Sequence, residues 1–214
     1  MDRNKLKLTL ILVAVILPLS LATFSFNFLQ NRGGISTTNK GVLIIPVLDI
    51  TDFAMQDAQG RPAFQSFEEL IAGVDAEDYD PAPWRLIFLG SNSCDEVCGD
   101  RLFYLRQLHR LLGSDEDRVV RLYVNVSEGH AELDNQTQQM FAEAFSMMGL
   151  VYSEPETLLS NLETIIPQGV DPVAEHYIFV ADPLGNVMLY FTPEHTPDEI
   201  LEDLEKLLDR SSLG

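Results

Sequence analysis

Cysteine and positive charge are both scarce. The 214 residues include two cysteines, four histidines and one tryptophan, and 14 Lys plus Arg stand against 33 Asp plus Glu, for a formal net charge of −19. A nucleic-acid ligand needs Lys and Arg to neutralise its phosphates, so this balance excludes a nucleic-acid partner. It also argues against a polybasic patch for an anionic membrane surface. Acidity of this kind gives solubility and names no partner, although a cuprous or other cationic one is compatible with it. Two cysteines permit one disulfide. Between residues four apart it closes too short a loop to stabilise the fold much, which weakens a purely structural role. No internal repeat is present, and the length suits one domain plus a leader.

Long apolar runs are absent as well, with one exception. Residues 8–31 carry no charged side chain. At about 1.5 Å per residue such a run is long enough to cross a hydrocarbon core of about 30 Å. Arg3, Lys5 and Lys7 precede it, with only Asp2 against them. The positive-inside rule then predicts a single-pass anchor with everything after Asn31 exported, and the expected location is the cell inner membrane, with the C-terminal domain in the periplasm. Pro18 is tolerated in a membrane helix. Ser20-Leu21-Ala22 is a passable cleavage site, but Phe24, Phe26, Phe28 and Leu29 continue the apolar run beyond it, which favours an uncleaved anchor. The expected organisation is an anchor over 1–31, a linker over 32–41 rich in Gly, Ser, Thr and Asn, and one domain over 42–214.

Periodicity within that domain predicts alternating elements. Residues 42–50 read as a strand, and 52–62 as a hairpin turning at Asp57-Ala58-Gln59-Gly60. Residues 67–72 read as a short helix and 75–83 as an acidic loop. Residues 84–89 are too short and too apolar for a surface helix and read as a buried strand. Leu102, Leu105, Leu108, Leu111 and Leu112 mark a helix, and residues 119–126 a second central strand. Residues 134–148 read as a helix with Met140, Phe141, Ala144, Phe145 and Met148 inward; Met147 and Met148 are core filler rather than copper ligands. A short helix over 156–165 follows. Strands over 176–181 and 186–191 flank the turn Asp182-Pro183-Leu184-Gly185. Thr196-Pro197-Asp198-Glu199 opens a last helix with a cap, a proline at the first position and acids in the first turn. The order predicts an α/β fold, a thioredoxin-like sandwich with an N-terminal β-hairpin extension, preceded by one transmembrane helix.

The chemistry concentrates where the buried strand meets the next helix, at Cys94 and Cys98. Positions i and i+4 share a helix face, so both sulfurs can face one metal ion or each other. A helix N-terminus stabilises a thiolate, which is both the metal ligand and the nucleophile. Two thiolates plus an imidazole suit Cu(I), whereas a closed zinc site wants a fourth ligand. Asp95 and Glu96 between the cysteines can tune such a site, raise the thiol pKa, or simply favour the helix start. Of the four histidines, His176 is the best candidate. His109 reads as a surface residue, and His130 and His195 fall in loops.

These features resemble the Sco/SenC/PrrC family of membrane-anchored, thioredoxin-like copper chaperones for cytochrome c oxidase assembly. The resemblance covers most of residues 47–210 and rests on the Phe-x-x-x-Asp-x-x-Gly hairpin, the strand-ending Gly90, the cysteine pair, the Asp-Pro-x-Gly turn and the last helix. The family motif reads Gly-x-x-x-Cys-Pro-x-x-Cys-Pro; here Asp95 and Gly99 replace the prolines, which makes this a divergent member. His176 lies seven residues before Pro183, where the family histidine lies nine before. The resemblance implies copper as the metal, held by Cys94, Cys98 and His176. The implied partner is a cytochrome c oxidase copper-binding subunit or another assembly factor. The alternative is a membrane-anchored thiol–disulfide oxidoreductase in which Cys94 and Cys98 act on partner cysteines.

Overall fold

The apolar run at Trp84–Gly90 forms the middle of the sheet. In this computed structural model, which describes residues 39–73 and 82–211 together with Lys7, Val13, residues 16–18 and Ser20, Leu86, Ile87, Phe88 and Leu89 are all fully buried. A strand covered on both faces needs such a continuous apolar sequence. Six strands make one sheet: β1 (Val42–Asp49), β2 (Trp84–Gly90), β3 (Val119–Val126), β4 (Gly149–Ser153), β5 (Ile178–Ala181) and β6 (Asn186–Phe191), in the order β1-β6-β5-β2-β3-β4. β2, β3 and β4 run parallel, and β5, β6 and β1 pair antiparallel.

Among the described residues, α1 (Phe67–Gly73) is short and largely exposed, and α2 (Glu96–Leu111), α3 (Asn135–Ala144), α4 (Pro155–Leu162) and α5 (Pro197–Arg210) cover the sheet. One core layer packs Phe88 and Tyr123 under Leu102 and Leu105 of α2, Phe141 of α3 and Leu204 of α5. The other packs Ile87, Leu89, Val124 and Phe179 against Leu158 and Leu162 of α4 and against Ile50 and Phe53. This is the expected thioredoxin-like α/β arrangement, and a mixed sheet with helices on both faces buries both sides of β2.

Several boundaries differ from the periodicity. β4 has no counterpart in the expected order. The helix expected over 134–148 ends at Ala144, and Phe145 N–H closes it on the Phe141 carbonyl. The chain then turns, which buries Met148 and leaves Met147 84% exposed, so only one of that pair is core. The N-terminal extension is an edge strand, β1, laid along β6, followed by a one-turn 3-10 helix at Ile50–Phe53 and a hairpin only one bridge long, Gln56 to Pro62. Gly60 takes the positive φ of 75° that its turn demands. Buried Asp203 of α5 accepts the Lys40 and Gly41 amides at 2.6 and 2.8 Å, which satisfies a carboxylate otherwise costly to bury and fixes the entry to β1.

The residues divide into Met1–Thr38 and Asn39–Gly214. The expected anchor and linker lie largely outside the described residues. Among the described residues no helix is long and apolar enough to cross a membrane.

Candidate metal and redox site

Cys94 and Cys98 are joined as a disulfide, with their Cα atoms 5.3 Å apart. Their placement corrects the expectation that both lie on one helix face. Asp95 has extended dihedrals and is the N-cap of α2; its carboxylate accepts the Cys98 amide at 2.9 Å. Asp is among the best N-cap residues and glutamate is not, so the helix starts at Glu96 and Cys94 falls just outside it. Cys98 sits in the first turn. Both cysteines are buried, Cys98 completely and Cys94 to 5% exposure, so Cys94 is the more open of the two.

A second helix start grips the loop from the other side. The Cys94 amide donates to the Thr137 hydroxyl at 2.9 Å, and Asp134 N–H donates to the Asn92 carbonyl at 2.8 Å. Asp134 caps α3, accepting Thr137 N–H at 2.7 Å. The Thr137 amide, together with the Thr137 and Ser93 hydroxyls, holds the Asp134 carboxyl below the usual carboxylate range. Two capping carboxylates, Asp95 and Asp134, therefore flank the cysteine loop. From below, the buried Tyr123 hydroxyl donates to the Ser91 carbonyl at 2.7 Å, and burial pushes its phenol pKa up. The Tyr123 ring stacks on Phe88. No motif in the sequence marks Thr137, Asp134 or Tyr123 as part of the site. The cap pattern Asp134-x-x-Thr137 was the available signal, but nothing in it said that the hydroxyl would face a cysteine amide.

His176 reaches the same place from β5. Phe88 of β2 pairs with Ile178, and Leu89 N–H donates to the Tyr177 carbonyl at 3.0 Å, so the residue before Tyr177 lies beside the end of β2. A turn built on Asp171 leads into it, and His176 takes a left-handed φ of 52°. That conformation is uncommon for a residue with a side chain, although histidine is enriched there. Its ring stacks on Phe88 with centroids 5.6 Å apart. Nε2 lies 3.9 Å from the same Asp95 oxygen that caps Cys98, while Nδ1 is buried without a hydrogen-bond partner. Burial lowers the pKa of this ring, with the Asp95 carboxylate pulling the other way. The lowered pKa favours the neutral imidazole, the form that ligates metals.

The other histidines have different work. His109 is no surface residue: its side chain is 12% exposed and its Nε2 sits 2.7 Å from the Val119 carbonyl. His130 faces Glu154, and His195 takes the Thr192 amide on Nδ1 and meets the Lys40 carbonyl with Nε2. With the disulfide closed, no three His, Cys, Asp or Glu side chains among the described residues are arranged to hold a metal. The donor chemistry nevertheless fits copper once the disulfide is opened. Two thiolates and a neutral imidazole form a soft set, and the orphaned Nδ1 is a lone pair or N–H left without a partner in the protein.

Residues 84–211 match the family described as transmembrane-like, thioredoxin-like, C-terminal domain. No curated protein sequence matches the chain. Among solved structures, the apo Sco1 protein of Thermus thermophilus is 16% identical, covers 81% of this chain and 99% of its own, and superposes with a TM-score of 0.51. Yeast Sco1 with copper bound is 10% identical over 82% of this chain and 96% of its own, with a TM-score of 0.49. The thioredoxin domain of a thiol-disulfide oxidoreductase from Bacteroides vulgatus is 16% identical over 80% of this chain and 99% of its own, with a TM-score of 0.42. Likeness at such identities speaks for the fold.

Proposed function

The chain belongs to the family of transmembrane-like, thioredoxin-like C-terminal domains, and on that footing we propose that it is a membrane-tethered copper-binding assembly factor of the Sco type. It takes one cuprous ion on Cys94, Cys98 and His176 and passes it to a copper-binding subunit of a respiratory oxidase or to another assembly factor. The tether is the apolar segment 8–31, and the domain works in the periplasm. The observation that carries the reading is the buried, orphaned Nδ1 of His176 beside the cap of the Cys98 helix.

Loading begins with reduction. The Cys94–Cys98 bond takes up two electrons and two protons from a dithiol partner, which leaves as a disulfide, and copper then displaces the thiol protons. The Asp95 and Asp134 carboxylates disfavour a bare dithiolate and favour a cation between the sulfurs. The helix N-terminus acts in the opposite direction, toward the thiolate.

The closed disulfide itself favours a second reading, a membrane-anchored thiol–disulfide oxidoreductase acting on partner cysteines. In that case a partner thiolate attacks Cys94, the more open sulfur, and Cys98 leaves as thiolate.

His176→Asn separates the two, because asparagine also tolerates a left-handed φ and the fold is kept. It is expected to weaken Cu(I) binding roughly tenfold to hundredfold, about 1.4–2.8 kcal/mol. His195→Asn leaves the affinity unchanged. Wild-type affinity in His176→Asn would remove the histidine from the site and favour the exchange reading.

A further inference from the structure

Three of the 14 basic side chains of this acidic chain line one cavity. It has a volume of about 420 Å³ and lies between the C-terminal half of α2, the start of β3 and the end of α3. Its cations are Arg106 and Arg110, one turn apart on α2, and Arg121 on β3. β2 and β3 are parallel, with Gly90 paired to Asn125 at the disulfide end and Trp84 paired to Val119 at the other. The cavity opens beside Val119, so it belongs to the opposite end of the sheet from the cysteines.

Arg121 is the unusual member. On alternation it faces the same side as Val119 and Tyr123, under α2 and α3, and it is only 6% exposed. Its Nε and Nη1 are buried with no hydrogen-bond partner in the protein, and Arg106 Nε is in the same condition. A buried guanidinium without a counter-charge is costly, and native structures supply one. The acids on the lining do not fill that role. Of the three, Glu116 is engaged by His109 at 3.5 Å and Glu143 by the Gln139 amide at 2.8 Å, and no carboxylate, Asp117 included, forms an ion pair with Arg106, Arg110 or Arg121 among the described residues. Burial lowers the pKa of Arg121 and Arg106 lowers it further; Glu116 opposes them and Arg110 adds to them. Cations at the end of α2 complement its dipole, which accounts for Arg110 but not for an arginine buried on a strand.

We propose that this cavity is a binding site for a small phosphate-bearing anion, held by Arg121 from the sheet and by Arg106 and Arg110 from α2. Guanidinium forks from two sides match the several oxygens of a tetrahedral dianion better than the two of one carboxylate. The site is independent of the cysteines.

The test titrates the full-length chain with inorganic phosphate and, in parallel, with glycerol 3-phosphate, against sodium chloride at equal ionic strength. Calorimetry and the thermal midpoint are read together. Both should show saturable binding and a midpoint that rises with ligand. Tighter binding of glycerol 3-phosphate assigns the remaining room to an organic group, and equal binding assigns the site to the free ion. Arg121→Met should weaken phosphate at least roughly tenfold and should unfold no earlier than the wild type without phosphate, since it removes a buried unpaired charge. Arg110→Gln, a change at an exposed position that leaves the core untouched, should weaken it as well, while Arg61→Met should not. No response beyond the chloride control, or an undiminished response in Arg121→Met and Arg110→Gln, would overturn the site.

Discussion

Reduced anaerobically, the full-length chain should bind one Cu(I), and Cys94→Ser or Cys98→Ala should each lower the affinity by about a thousandfold or more, at least about 4 kcal/mol. The size follows from the donor set. Cu(I) is soft, the chain has no other cysteine, and a hydroxyl or methyl replaces a thiolate poorly. The exposed Met147 stands on the α3 side of the sheet and offers only a single thioether. Competition against a chromophoric Cu(I) chelator reads the loss directly. Oxidised protein should bind none until the disulfide is opened, because both thiolates are consumed in the bond. Binding by a double cysteine variant as tight as the wild type would put the metal elsewhere.

Gly90→Ala should be nearly as damaging, but to the fold. A Cβ on Gly90 would overlap the Tyr123 hydroxyl and approach its Cε2 to 2.7 Å. Tyr123 cannot step aside. It is fully buried, stacked on Phe88 and set edge-on to Phe141 at 5.0 Å. Overpacking of this kind costs about 1–3 kcal/mol. Displacing the hydroxyl also breaks its bond to the Ser91 carbonyl, worth about 1 kcal/mol. A loss of about 2–4 kcal/mol is a large part of a domain's total stability. Denaturant unfolding should show a lower midpoint with an unchanged slope. Tyr123→Phe in the Gly90→Ala background should recover part of it, since the hydroxyl is the first atom struck. Wild-type stability in Gly90→Ala would mean that the strand end yields where the packing says it cannot.

Gly90 shows how far the sequence could be read. Its place at the strand end before the cysteines was visible from the apolar run and the motif. The reason for it was not, because Tyr123 arrives from β3, 33 residues later. Elements whose signals are local were legible. β2 declares itself by its apolar continuity, and α5 by Thr196, Pro197 and Glu199, which form the expected cap and first turn and, in the structure, a capping box as well. Elements that depend on distant partners were not. β4 is five residues long and becomes a strand only by pairing with residues 122–126 of β3. β1 lies along β6, so its edge position is set by residues near the other end of the domain.

The candidate site divides in the same way. The cysteine pair was plain, and its separation from the helix face turned on a single capping residue, Asp95. His176 was reached through its position before a strand. Its left-handed backbone, its stacking on Phe88 and its orphaned nitrogen are products of the fold. Arg121 sits on a strand whose alternation gives no hint that two helices cover it, so its burial without a partner appears only in three dimensions.

The most direct measurement is X-ray absorption at the copper edge of the reduced, Cu(I)-loaded full-length chain. The account predicts two sulfur scatterers at about 2.3 Å and one imidazole nitrogen at about 2.0 Å, the lengths of comparable zinc bonds, with the nitrogen lost in His176→Asn. A first shell of nitrogen and oxygen without sulfur would contradict it.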